Sequence, residues 1–378
     1  MLVNGNLRRT IWPAPDNTAV EIIDQTRLPH EFVTVRLENM RDAEHAIRSM
    51  QVRGAPLIGV TAAYGVALSM KHHASDAALQ ATCDMLVKAR PTAVNLRWAV
   101  EHMREFLLPL PAEQRGEAAW NEAALMADQD VAINYAIGQC GFAIISAIHD
   151  EKLAHGRSGV VNILTHCNAG WLATVDWGTA LAPVYAAQAA GIPVHVWVDE
   201  TRPRNQGASL TAWELAQQGV SHTVIVDNAG GHLMQHGLVD VAIVGTDRVT
   251  ATGDVCNKIG TYLKALAAFD NGVPFYVAMP VSTLDWTLQD GVKEIPIEER
   301  GEEEVTHLSG LCEDGQIRRV QLTPTGSPAA NYGFDVTPAR LVTGLFTERG
   351  LVAANADAIR TLYDSPRPQA GEGLGERV

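Results

Sequence analysis

The sequence predicts an α/β protein in which a mostly helical N-terminal domain with a small sheet precedes a doubly wound, mainly parallel sheet. After residue 160, short β-branched runs, nearly continuous in apolar character, alternate with helix-length segments, as strands do when crossover helices cover both sheet faces. Before residue 150 the apolar residues recur at helical spacing instead. With 378 residues there is chain enough for two domains, and hydrophobic residues at 47% against 19% charged exclude a wholly disordered polypeptide.

LRRTIW and AVEIID, separated by the turn-rich PAPDN, read as short strands. From about Arg41 the period becomes helical. Leu79, Cys83 and Leu86 follow the cap-like Ser75 and stop before Pro91, and Leu96, Val100, Met103 and Leu107 repeat the signal. A third helix is expected over 120–148, after the turn-prone PLPAEQRG. The polar HGRSG then separates a domain spanning 1–150 from one spanning 151–365. Its expected strands are VVNILTH (160–166), IPVHVWVD (192–199), SHTVIVD (221–227), VDVAIVG (239–245) and VPFYVAM (273–279). TVDWGTALAPVYAAQAAG, SLTAWELAQQG and KIGTYLKALAAFDNG read as the intervening helices, each ending near a glycine suited to a left-handed C-cap. Residues 366–378 form a polar tail whose GEGLG lacks the flanking strand and helix of a dinucleotide loop.

Lys and Arg number 29 against 43 Asp and Glu, a net charge of −14 that argues against a broad nucleic-acid or anionic-membrane footprint. No uninterrupted apolar run approaches the roughly 18 to 20 residues of a membrane helix, and the opening residues lack a signal-peptide pattern, so the expected location is the cytoplasm. The five cysteines, Cys83, Cys140, Cys167, Cys256 and Cys312, are odd in number and contain no C-x-x-C, which argues against a disulfide scaffold. Neither a phosphate-binding G-x-x-x-x-G-K-[ST] nor a G-x-S-x-G is present, and no cofactor is expected.

In an open α/β sheet, ligands collect beyond the carboxyl ends of the strands. THCNAG sets Cys167 there, as a thiol activated by a following helix or as an ordinary core cysteine; His166 beside it is a charge partner or a structural histidine. GTDRVTATGDVCNKIG sets Asp247 just after another strand, free to act as acid or base or to pair with Arg248, and Asn257 and Lys258 are expected to begin the next helix. In DETRPRNQGASLTAWEL, one of Arg202, Arg204 and Gln206 is expected to face substrate, or else the two arginines hold the loop through carboxylates; Asp227 and Asn228 make a further strand-end pair, with a tight turn at Gly230 and Gly231 and His232 beyond it. Arg53 and Gly54, and Arg90 and Asn95, flank helix entries earlier in the chain, where each arginine either suits a doubly contacted phosphate or is an ordinary solvated surface side chain. His166, Cys167, His195, Asp199 and His222 are metal-ligand types, but none shows the paired spacing of H-E-x-x-H, so no metal is expected.

Six segments, RGAPLIGVTAAYG, RPTAVNL, THCNAG, DETRPRNQGASLTAWEL, DNAGGHLM and GTDRVTATGDVCNKIGTY, occur in an order that resembles the methylthioribose-1-phosphate isomerases of methionine salvage, over about Thr26 to Arg349. The resemblance implies a helical domain followed by a Rossmann-like one, a homodimer, no cofactor, and conversion of 5-methylthio-ribose 1-phosphate to 5-methylthio-ribulose 1-phosphate. It implies Cys167 and Asp247 as the catalytic pair, with Arg53, Gly54, Ala55, Arg90, Gln206, Asn257 and Lys258 as substrate contacts. DNAGGH departs from the usual DNAAGH at Gly230. Two relatives set the alternatives: ribose-1,5-bisphosphate isomerases, and non-catalytic regulatory subunits of a translation-initiation exchange complex.

Overall fold

A computed structural model describes residues 1–91 and 93–364; the expected polar tail lies outside the described residues. The chain opens with a two-stranded ribbon, β1 (Leu2–Val3) and β2 (Asn6–Leu7), followed by an antiparallel sheet of β3 (Ile11–Pro13), β4 (Val20–Ile23) and β5 (Thr34–Leu37). Helices α1 (Met40–Arg48), α2 (Ala55–Met70), α3 (Asp76–Ala89) and α4 (Val94–Leu107) come next. Asn39 caps α1 in a capping box with Asp42, and the predicted Ser75 cap on α3 accepts from the Ala78 N–H.

Helix α2 is almost wholly buried, and its small residues allow that. A Cβ on Gly59 would press on the Asn95 backbone and Ala99, and one on Gly65 on Ala43 and Leu86. Helix α5 (Ala112–Ala154) is a single 43-residue rod, longer at both ends than the 120–148 predicted. PAEQRG does not make a turn: Pro111 precedes the first helical turn, where its missing N–H costs nothing, and AEQR are good helix formers. By length and composition α5 passes for a membrane-spanning helix, although no uninterrupted apolar run in the sequence announces one. It packs instead along α2 and α6, and its buried residues include Arg115, Asp130, Asn134 and Lys152.

The second half is built on a seven-stranded sheet. In chain order its strands are β6 (Val161–Thr165), β7 (Val194–Asp199), β8 (His222–Ile225), β9 (Val241–Val244), β12 (Phe275–Ala278), β17 (Gly344–Thr347) and β18 (Gly350–Val352). The spatial order is β18-β17-β12-β9-β6-β7-β8, all parallel except β17–β18. Connections leave the central pair β6 and β9 in opposite directions, so a topological switch point lies between their carboxyl ends. Helices α6 (Ala182–Ala189), α7 (Ala212–Gln217), α8 (Ala229–Gln235) and α9 (Thr261–Asp270) cross between strands. The left-handed glycines expected behind three of them are present: Gly191, Gly219 and Gly272 all have positive φ.

A second sheet, β13-β10-β11-β16, is formed by β10 (Arg248–Thr250), β11 (Val255–Lys258), β13 (Leu284–Asp285) and β16 (Phe334–Thr337). Short helices α10 (Gly291–Glu294) and α11 (Glu303–Thr306), a hairpin of β14 (His307–Leu311) and β15 (Ile317–Gln321), and α12 (Ala356–Asp364) complete the fold.

Two helix expectations need correction. Asn257 and Lys258 end strand β11, because Gly260, in the left-handed region at φ +102°, delays the helix to Thr261. Residues 174–181 are irregular, because Trp177 and Gly178 both take positive φ and the helix starts only beside Pro183. Gly230 and Gly231 likewise belong to α8 rather than to a turn, and a Cβ on Gly230 would press on Leu164.

The irregular segment between β6 and α6 is buried throughout most of its length, so its peptide groups need partners from elsewhere. Thr10 N–H donates to the Val175 carbonyl at 3.1 Å, Gln25 Nε2 to the Leu172 carbonyl at 2.6 Å, and Val175 N–H to Asp130 Oδ2 at 2.7 Å. Burial pushes the Asp130 carboxyl up to about 7 despite that bond. A carboxyl with a raised folded-state pKa stabilises the fold below its unfolded value, and the advantage fades as pH rises through the folded one. Asp130→Asn should therefore gain stability relative to the unmodified chain, by on the order of 2 kcal/mol, between about pH 5 and pH 8. Denaturant unfolding at both pH values checks this; a difference independent of pH would contradict it.

Candidate active site

Cys167 follows β6 and Asp247 follows β9, so the two stand at the adjoining strand ends that flank the switch point. Cys167 is buried and held at φ +64°. Its N–H donates to Thr201 Oγ1 at 2.8 Å, and Thr211 Oγ1 donates to its carbonyl at 2.7 Å. The thiol donates to Gln206 Oε1 with the atoms 3.2 Å apart. The helix N-terminus expected to activate Cys167 is replaced by a three-residue 3-10 turn, Trp171–Ala173.

Arg53 comes from the other half of the molecule. Its Nη1 donates to Asn168 Oδ1 and its Nη2 to the Asn168 carbonyl at 2.6 Å, so the guanidinium clasps the residue after Cys167. Gly54 brings the chain that close: at φ +92° it opens α2, and a Cβ there would sit 2.4 Å from the Ala173 carbonyl oxygen. Ala55 is the first residue of that helix. Burial lowers the Arg53 pKa, while the Cys167 thiol, the Asp247 carboxyl and Glu214 pull it back up.

Lys258 stands on β11, its Nζ donating to the Gly333 carbonyl at 2.9 Å and lying 4.5 Å from the Phe334 ring centroid. Burial lowers its pKa as well, again opposed by Cys167 and Asp247. Arg53 and Lys258 thus both feel the same thiol and the same carboxyl. Asn257, its neighbour, is buried and donates to Thr261 Oγ1 at 2.9 Å. Asp247 is partly exposed, its N–H paired with the Cys256 carbonyl at 3.0 Å; Arg248 reaches Asp285 at 3.3 Å.

Arg90, at the end of α3, reaches Glu298 at 3.3 Å. Arg300 then joins Glu298 at 2.9 Å to Glu304 at 2.7 Å, and Glu304 holds Arg204 at 2.7 Å. This chain of ion pairs borders a small cleft lined by Thr201, Arg204, Gln206, Lys258 and Arg300 among others. Arg204 therefore holds its loop through a carboxylate, and Arg202 does so through the Val305 carbonyl at 2.7 Å. Asp227 ties down the same loop by accepting the Thr201 and Arg202 N–H groups at 2.7 and 2.8 Å.

His166 is buried between Asp199, 2.9 Å away, and the Ile259 carbonyl at 2.8 Å. His166, Asp199 and Asp227 bring ligand-type atoms within 4.8 Å of one another. Lys264 Nζ lies 3.1 Å from Asp199 and donates to the Asp227 backbone carbonyl, so a cation of the protein's own already stands beside the Asp199 carboxylate. His195 and His222, the other histidines of ligand type, bond to Ser221 and to the Val220 carbonyl. Asn95 donates to Ser282 at 3.3 Å, Asn228 stands ahead of α8, and His232 packs on His236 with ring centroids 4.2 Å apart.

Three residues that hold the site, Thr201, Thr211 and Glu214, lie inside the segment DETRPRNQGASLTAWEL, yet sequence reasoning gives them no role. The available signal is Glu214 itself, a carboxylate in the otherwise apolar stretch of a crossover helix.

The model of the initiation factor 2 subunit family matches residues 51–354. The methylthioribose-1-phosphate isomerase of Rhodospirillum rubrum is 64% identical, over 100% of this chain and 97% of that protein. Among solved structures, the 5-methylthioribose 1-phosphate isomerase of Pyrococcus horikoshii OT3 superposes with a TM-score of 0.81 at 37% identity, covering 95% of this chain and 96% of that one. A structure described as translation initiation factor eIF-2B, subunit delta, from A. fulgidus reaches 0.77 at 35% identity, covering 94% and 99%. The chain belongs to the initiation factor 2 subunit family, and within it to the methylthioribose-1-phosphate isomerases; it is an enzyme, an isomerase.

Gly54 gives a direct test of the inter-half contact. Gly54→Ala should lower the melting temperature by several degrees, since its Cβ meets backbone at a positive φ, and should cut activity further than the lost folded fraction explains by displacing Arg53. Calorimetry beside activity per folded molecule measures both; an unchanged melting curve would show that the contact carries no constraint.

Proposed function

We propose that this chain isomerises 5-methylthio-ribose 1-phosphate to 5-methylthio-ribulose 1-phosphate in methionine salvage. The reading is supported by relatives of that name at 60 to 64% identity across nearly the whole chain. The observation that carries it is a thiol and a carboxyl at adjoining strand ends, both within the electrostatic reach of Arg53 and Lys258.

Phosphate on the anomeric oxygen prevents this sugar from opening to a free aldehyde. The ring opens instead when an acid protonates the ring oxygen and its bond to C1 breaks, leaving C1 electron-poor. Asp247 is the proposed acid. As the hydrogen on C2 moves to C1, the Asp247 carboxylate takes the O2 proton and the C2 ketone forms, which returns the acid to its starting state. In one route hydride passes directly from C2 to C1 while Cys167 supports the electron-poor centre; in the other, Cys167 thiolate removes the C2 hydrogen as a proton and returns it to C1. The near-complete burial of Cys167, Gln206 and Arg53 favours the hydride route, because a site closed to water offers no solvation to the enolate-like charge that proton removal from C2 creates. Arg53, Gly54, Ala55, Arg90, Gln206, Asn257 and Lys258 are the proposed substrate contacts, with the cations neutralising phosphate. A homodimer is the proposed assembly, supported by the edge strand β8, which exposes Val224 beside an exposed Val226.

The deciding assay offers purified protein the methylthio sugar phosphate and, separately, ribose 1,5-bisphosphate, without added metal or cofactor. Turnover of the first and not the second is expected, and the reverse preference would overturn the reading in favour of the bisphosphate isomerases. Asp247→Asn should keep substrate binding but lower kcat by at least about a hundredfold. Near-normal kcat would remove Asp247 from the acid role. In heavy water, the hydride route predicts no solvent deuterium at C1 of the product, and incorporation there would select the proton-transfer route.

A further inference from the structure

Glu214 is completely buried on α7, and the proposed chemistry does not use it. Its Oε2 accepts the Leu172 N–H at 3.1 Å and its Oε1 the Tyr185 hydroxyl at 3.1 Å, while the Asn168 side chain also favours its ionised form. A Cβ on Gly170 would lie 1.3 Å from Glu214 Oε1, so the carboxyl is pressed against the backbone of the turn after Cys167. Asn168, at the head of that turn, carries both Arg53 bonds, and its Nδ2 donates to Thr211 Oγ1 at 3.1 Å. The same threonine hydroxyl holds the Cys167 carbonyl.

We infer that Glu214 is a positioning residue for the isomerisation: from inside the fold it fixes the Cys167–Asn168 turn and balances the Arg53 guanidinium, without meeting the sugar. The inference rests on the proposed roles of Cys167 and Arg53. The ionisable groups that face it are Arg53, from the loop ahead of α2, and Tyr185 on α6, with Asp176 beside Tyr185. Burial lifts the Glu214 carboxyl to about 7, against the pull of the Leu172 N–H, Tyr185, Asn168 and Arg53. The ionised form accepts every donor around it and offsets Arg53. Activity should therefore climb as pH rises through neutrality, on a limb that belongs to this carboxyl.

The test follows kcat, KM and thermal unfolding from about pH 5.5 to 9 in Glu214→Gln and Tyr185→Phe. The Gln variant should stay folded, lose about tenfold or more in kcat with KM changed less than about threefold, and lack the limb near neutrality. Tyr185→Phe deletes a donor that favours the carboxylate, so the limb should persist and move to higher pH. Alkylation of Cys167 by iodoacetamide, followed by mass spectrometry across the same pH range, reads the coupling without substrate. Unmodified protein that fails to turn over the sugar would overturn the proposed function alone. A Gln variant with unaltered kcat, or with unaltered alkylation against pH, would overturn the role of Glu214, as would a Tyr185→Phe variant whose limb stays in place.

Discussion

The clasp of Arg53 on Asn168 is the constraint around which the site is organised. A guanidinium cannot shed its charge at neutral pH, and taking it out of water is costly unless its donors are met. Asn168 meets two of them with its side chain and its backbone at once. The clasp joins the start of the central N-terminal helix, α2, to the turn after β6, so the two halves meet at the residue beside the buried thiol. Gly54 and Gly170 make the approach possible, because a side chain at either position would collide with backbone or with a buried carboxyl.

The segment between β6 and α6 sets a related demand. It is irregular, and it lies where water cannot satisfy its peptide groups. The protein answers with side chains from far along the chain: Thr10, Gln25, Asp130 and Glu214. Two of these are carboxyls, each raised to about 7 by its burial. The loop that carries the thiol is thus held by groups that ordinary burial statistics would place on the surface.

Much of this architecture was legible in residue order. The runs 160–166, 192–199, 221–227, 239–245 and 273–279 each contain one strand, and Gly191, Gly219 and Gly272 marked helix ends because local steric rules decide both features. The strand-end rule likewise singled out Cys167 and Asp247. Legibility ended where tertiary contacts override local preference. Asn257 and Lys258 look like a helix start, yet pairing with β16 keeps them extended until Gly260. Residues 174–181 have helical composition, but their path is set by partners more than 100 residues away in sequence, such as Thr10. The ion-pair chain through Glu298, Arg300 and Glu304 had no periodic signature to find.

Helix α5 runs for 43 residues, about 65 Å at 1.5 Å per residue, unbroken from the bundle of α2 into the layer beside α6. Such a strut leaves no flexible joint at residue 150 about which the halves could swing. The stretch bearing Glu298, Arg300 and Glu304 is fastened across the cleft by largely buried ion pairs, which dissolved salt screens far less than it screens exposed ones, so this rim should keep its shape over a wide range of ionic strength.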